Sequence, residues 1–92
     1  MLIASSGPVY FAGVSHRFVH EGRVVEAARF VANGPEIAAW AGPEVEATGR
    51  GLSGTLRLKG AEVATGDWVV KDGEALSVVP QELFSSQYVM VN

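Results

Sequence analysis

The chain has no cysteine, no excess of basic residues and no long apolar run, and each absence closes off a class of function. Without cysteine it can hold neither a disulfide framework nor a thiolate zinc site, which fits a reducing cytoplasm. Seven basic residues against ten acidic give a net charge of -3. The basic stripe that neutralises phosphates is therefore missing, while the acid is too sparse to imitate DNA, so no nucleic-acid partner is expected. Gly, His, Arg or Glu interrupts the apolar runs within about ten residues, too short for a membrane span. The start, Met1 to Pro8, has no basic segment and only a short apolar stretch, Met1 to Ala4, and it does not read as a secretory signal.

What is present argues for a folded chain. Hydrophobic residues make up 48% and charged residues 18%, a balance that disordered segments do not show. Ninety-two residues predict one domain with a modest core and a stability at the low end for globular proteins. A homodimer or higher homo-oligomer is expected of so small a chain, because self-association adds buried surface.

Residues 1–8 read as a loose or partly paired terminus, and 9–14 have strand composition. Phe18 and His20 share one face of a strand over 16–20, with Glu21-Gly22 as a turn. The stretch 23–31 mixes β-branched residues with Glu-Ala-Ala-Arg and is read as a strand, with Val25, Ala27, Arg29 and Val31 on one face. Asn33-Gly34-Pro35-Glu36 starts a two-turn helix with Ile37, Trp40 and Ala41 on one stripe, and Gly42-Pro43 ends it. A Gly-rich loop over 48–54 precedes the clean alternation of Leu56 and Leu58. Trp68 to Lys71 predicts a strand, Asp72-Gly73 a hairpin, 75–79 its return, Pro80 the first turn of a short helix, and 88–91 a last strand. The class predicted is α+β: a small, mostly antiparallel sheet with two short helices on one face.

The run Gly66-Asp67-Trp68-Val69-Val70-Lys71, followed by Gly73-Glu74, Val79-Pro80, Phe84 and Tyr88 to Val91, resembles a family of small proteins from tailed phages and prophages. Upstream, Val25-Glu26-Ala27, Phe30 and the helix from Glu36 to Gly42 fall in the same order and spacing. The resemblance covers 23–92 as a family-like core and leaves 1–22, with Tyr10, Phe11 and Phe18, as an extension. Ala75-Leu76 stand where relatives carry an aromatic. It implies a phage accessory protein in the cytoplasm of an infected bacterium, and it brings no catalytic residues to carry over.

The residues able to carry chemistry have competing readings. His16 and His20 have the i, i+4 spacing that binds zinc on a helix, but in a strand they stand about 13 Å apart and read as ordinary surface histidines. Asp67 and Lys71 flank Trp68 either as a polar rim around an aromatic floor or, more simply, as a turn, a core indole and a solvated strand end. Arg29, on an otherwise apolar face, is an ion pair, a snorkelling side chain or the wall of a pocket. The loop Gly49 to Gly54 lacks the lysine of a phosphate loop, yet Arg50 is placed to close over an anion. Glu44 and Glu46 have no visible burial to raise their pKa values, and no serine has a nucleophile elbow.

Two functions follow. The first is a non-enzymatic accessory protein, with no cofactor or metal, that binds a host or phage macromolecule. The alternative is an anti-defence protein that sequesters a nucleotide-derived immune signal, with Arg29, Trp40, Arg50, Trp68 and Lys71 lining the ligand site.

Overall fold

The computed structural model describes residues 14–91. The expectations for the terminus over 1–8 and the strand over 9–14 fall outside them, apart from Val14, which packs partly buried against the core.

Among the described residues, eight strands and two complete helices follow in the order β1 (His16–His20), β2 (Arg23–Arg29), α1 (Gly34–Ala41), β3 (Val45–Thr48), β4 (Thr55–Leu58), β5 (Ala61–Val63), β6 (Trp68–Asp72), β7 (Ala75–Val79), α2 (Gln81–Gln87) and β8 (Val89–Met90). The α+β class is as the sequence predicts. The strands divide into two antiparallel sheets, one of five strands in the order β7-β6-β2-β1-β8 and one of three in the order β3-β4-β5.

Three two-residue turns set the registers. Glu21-Gly22 and Lys59-Gly60 have positive φ at both positions, as the right-handed twist of hairpin strands favours, and His20↔Arg23 and Leu58↔Ala61 pair across them. The turn into β7 is Gly73-Glu74, one residue later than expected, because Asp72 pairs with Ala75 inside the ladder. Gly73 supplies the positive φ there.

The two helices lie on opposite faces of the larger sheet, not on one. Strand periodicity sends Ala28 and Val69 one way and Ala27 and Val70 the other. Ala28, Phe30 and Val69 pack with Ile37, Trp40 and Ala41 of α1 and with Leu56 and Leu58 of the smaller sheet. Ala27, Val25 and Val70 pack with Phe18, Val79 and Phe84 of α2. A sheet with apolar residues on both sides needs a cover on both, and one face alone cannot satisfy it. The wet face read from Leu56 and Leu58 belongs to the smaller sheet, where Thr55 and Arg57 are exposed.

Helix α1 begins as predicted, with Pro35 in its first turn, and closes where the Gly42 amide donates to the Ala38 carbonyl. Asn33 points back rather than capping: its side chain accepts from the Val31 amide at 2.8 Å and donates to the Arg29 carbonyl at 3.1 Å. That clamp ties the end of β2 to the start of α1. Pro80 stands just before α2 instead of inside it, and Tyr88 closes that helix by donating its amide to Phe84, so β8 is shorter than 88–91.

Candidate functional site

On the α1 side of the large sheet, β1, β2 and β6 align Arg17, Glu26 and Lys71 side by side. Above them lies Trp40 of α1, buried against the core. Its indole Nε1 donates to Glu26 Oε1 at 3.0 Å. Lys71 Nζ donates to the Trp40 carbonyl oxygen at 3.2 Å and sits 5.5 Å from the indole centroid. A half-covered cation over an indole contributes about 1 kcal/mol, and the carbonyl at the end of α1 adds the favourable sign of the helix dipole. A cleft of 220 Å³ opens beside this row, lined by Arg17, Val24, Val25, Glu26, Lys71 and Gly73.

The next row on the same face is apolar. Val89 of β8, Val19 of β1 and Val24 of β2 are register partners, so their side chains stand abreast. Val24 is 60% exposed and Val89 68%, because α1 and the smaller sheet cover only the β2–β6–β7 end of this face. The result is a valine strip bordered by alternating positive, negative and positive side chains.

The opposite face is closed. Trp68, Phe84, Tyr88 and His20 stack as a column, with centroid separations of 4.0, 4.3 and 4.1 Å and nearly parallel planes. Phe18 meets Trp68 and Phe84 edge-on. Trp68 Nε1 donates to Gln81 Oε1 at 2.6 Å, so the indole is satisfied within the fold. His20 Nδ1 lies 3.3 Å from the Gln87 carbonyl, and His16 is exposed, which leaves the two histidines in separate roles. Partial burial raises the Tyr88 pKa above the ordinary tyrosine value, and the carboxylates of Glu21 and Asp72 push it in the same direction.

The five residues singled out from the sequence stand in three places. Trp40 and Lys71 meet on the α1 face. Trp68 and Arg29 are cross-strand partners on the α2 face. There the Arg29 Nε donates to the Gly66 carbonyl at 3.2 Å, and not to a described carboxylate. Arg50 is in the loop between β3 and β4, beside a 350 Å³ cleft with Pro35 and Glu36. Trp68 and Lys71 are three residues apart in one strand, which sends them to opposite faces, so the aromatic floor with a lysine rim does not form. Asp67 is the turn residue that the simpler reading expected, with its carbonyl accepting the Phe30 amide. Lys71 is no solvated strand end, because its ammonium is half-covered by Trp40.

Glu26, Arg17 and the three valines were not singled out. A signal for Glu26 was present: Val24, Glu26, Ala28 and Phe30 share a strand face, so this exposed carboxylate stands at the margin of an apolar surface, within reach of a donor from the element that covers it. The indole of Trp40 is that donor. Among the described residues, no three His, Cys, Asp or Glu side chains gather as a metal site, and no helix is long and apolar enough to cross a membrane. Comparisons with family models, with curated proteins and with solved structures find no match.

Proposed function

We propose that the chain is a small non-enzymatic accessory protein of phage origin that binds a host or phage protein through the Val19–Val24–Val89 strip and its charged border. The valine row carries this reading. Single exposed apolar residues are ordinary, but exposed Val24 and Val89 on either side of half-buried Val19, in one row rimmed by charge, have the anatomy of a protein-binding patch. Its border contributes orientation: Arg17 and Lys71 on either side of Glu26 favour a partner with carboxylates spaced around one cation.

Among the described residues, the nucleotide-sequestering alternative draws its support from the cleft beside Arg50. The two indoles and three cations that would share a ligand stand apart, and the clefts of 210, 220 and 350 Å³ are at or below the lower end of the range, about 300–1,000 Å³, that small-molecule sites occupy.

The test is Val24→Asp, a change at an exposed position that leaves the core untouched. Wild-type protein recovers its partner from infected-cell lysate, and the variant loses it while keeping its circular dichroism. Equal recovery by both proteins sinks the proposal. A thermal shift on adding cyclic or linear nucleotides would favour the alternative instead.

A further inference from the structure

The two sheets present four edge strands, and the sequence blunts three of them. Strand β8 has two residues. Strand β5 has three, with Glu62 at its centre, and β3 carries Glu46. Short length and charge are the usual protections against pairing with another chain. Strand β7 has neither: Ala75-Leu76-Ser77-Val78-Val79 is five residues long, with no charge and no proline, and no described strand pairs its outer side.

The register says which backbone groups that side presents. In a two-residue hairpin the pair flanking the turn exchanges both hydrogen bonds, and bonded pairs then alternate along the ladder. Asp72↔Ala75, Val70↔Ser77 and Trp68↔Val79 are thus bonded within the hairpin. The far side of β6 agrees, since Phe30 donates its amide to the Asp67 carbonyl, in phase with pairs at Val69 and Lys71. The N–H and C=O groups of Leu76 and Val78 consequently point outward.

These two residues are symmetric about Ser77. A second copy laid antiparallel, with Ser77 opposite Ser77, brings Leu76 opposite Val78 twice and satisfies all four outward N–H groups and all four carbonyls' inward lone pairs. The side chains match as well: Leu76 and Val78, each partly buried, meet one another across the junction, and the small exposed Ser77 meets itself. No like charges are brought face to face. We propose that β7 pairs with β7 of a second copy about a two-fold axis through Ser77, joining the two five-stranded sheets into one of ten strands.

The chain's lack of cysteine makes a direct test available. In this register Ser77 forms a non-bonded pair with its symmetry mate, at a Cα separation of about 4.5 Å, within the range of about 4.4–6.8 Å that a disulfide spans. Ala75, two positions away on the same exposed face, would lie about 14 Å from its own mate. Ser77→Cys is expected to form a covalent dimer on mild oxidation, and Ala75→Cys to remain single-chain. Wild-type protein should show twice the chain mass in light scattering, and raising the concentration should slow amide exchange at Leu76 and Val78 but leave Ser77 equally protected. A single-chain mass at every concentration overturns the proposal, whether or not the variants fold. Cross-linking at Ala75 as efficient as at Ser77 overturns the register.

Discussion

The two faces of the five-stranded sheet use aromatic residues in opposite ways. On the α2 face four rings stack as a continuous column, and the one indole there bonds to Gln81 of the covering helix. On the α1 face one indole is bound from two sides by a strand carboxylate and a strand ammonium, and the surface beyond it stays open. The difference teaches that an aromatic residue near charged groups is not by itself a site. What separates the faces is whether the apolar surface next to the ring is covered.

The comparison breaks most readily at the column. Phe84 is the buried residue that α2 inserts between Trp68 and Tyr88. Replacing a buried Phe with Ala costs about 3–5 kcal/mol, from lost transfer energy and the cavity left behind. Phe84→Ala should therefore remove most of the stability of so small a domain, measured by urea unfolding. A cost below about 0.5 kcal/mol, the range of ordinary surface changes, would mean that α2 is a loose cover and that the α1 side alone holds the fold.

A smaller effect is expected where indole and carboxylate meet. Trp40→Phe keeps an aromatic ring under Lys71 but deletes the donor to Glu26, at an expected cost of about 1–2 kcal/mol. Glu26→Gln keeps an acceptor and should cost clearly less. Denaturation midpoints of the two variants check this ordering. Equal costs would show that the charge of Glu26, rather than its hydrogen bond, is what the site uses.

Much of this arrangement was readable in the residues, and the limits have physical causes. Turn chemistry and strand alternation are local, so Glu21-Gly22, the return at Gly73, the Ile37–Trp40–Ala41 stripe and the inward Leu56 and Leu58 all followed from a few neighbouring residues. Which strands pair is not local. The order β7-β6-β2-β1-β8 places Lys71 next to Glu26, 45 positions earlier in the chain, and nothing near either residue signals the other. The separation of Trp68 from Lys71 was readable, since residues three apart in a strand face opposite ways. Grouping them as floor and rim neglected that period. The valine strip was hidden for a different reason: Val19, Val24 and Val89 look like core residues until the extent of α1 and the smaller sheet is known.

The open part of the α1 face should be nearly neutral for folding. Val24→Asp replaces an exposed side chain and is expected to change stability by no more than about 0.5 kcal/mol, in contrast with its expected effect on partner capture. A loss of about 2 kcal/mol or more, the scale of a buried large-to-small change, would mean that the strip is covered in solution and belongs to the core.

The smallest effect is confined to alkaline pH and tests the far end of the column. Tyr88 has its pKa raised by burial first, then by Glu21 and Asp72. The folded state therefore disfavours the phenolate more than the unfolded chain does. Stability from this residue is fully present below the unfolded value near 10 and is lost as pH rises through the higher folded value. Tyr88→Phe keeps the ring in the stack but removes the ionising group. Thermal midpoints measured from pH 8 to 11 should thus fall more steeply for wild type than for the variant above about pH 10, with the two curves parallel below it. Other titrating groups are common to both proteins and cancel in the difference. Identical alkaline slopes would mean that the Tyr88 hydroxyl is as free in the folded chain as in the unfolded one, and that the column ends at Phe84 rather than at His20.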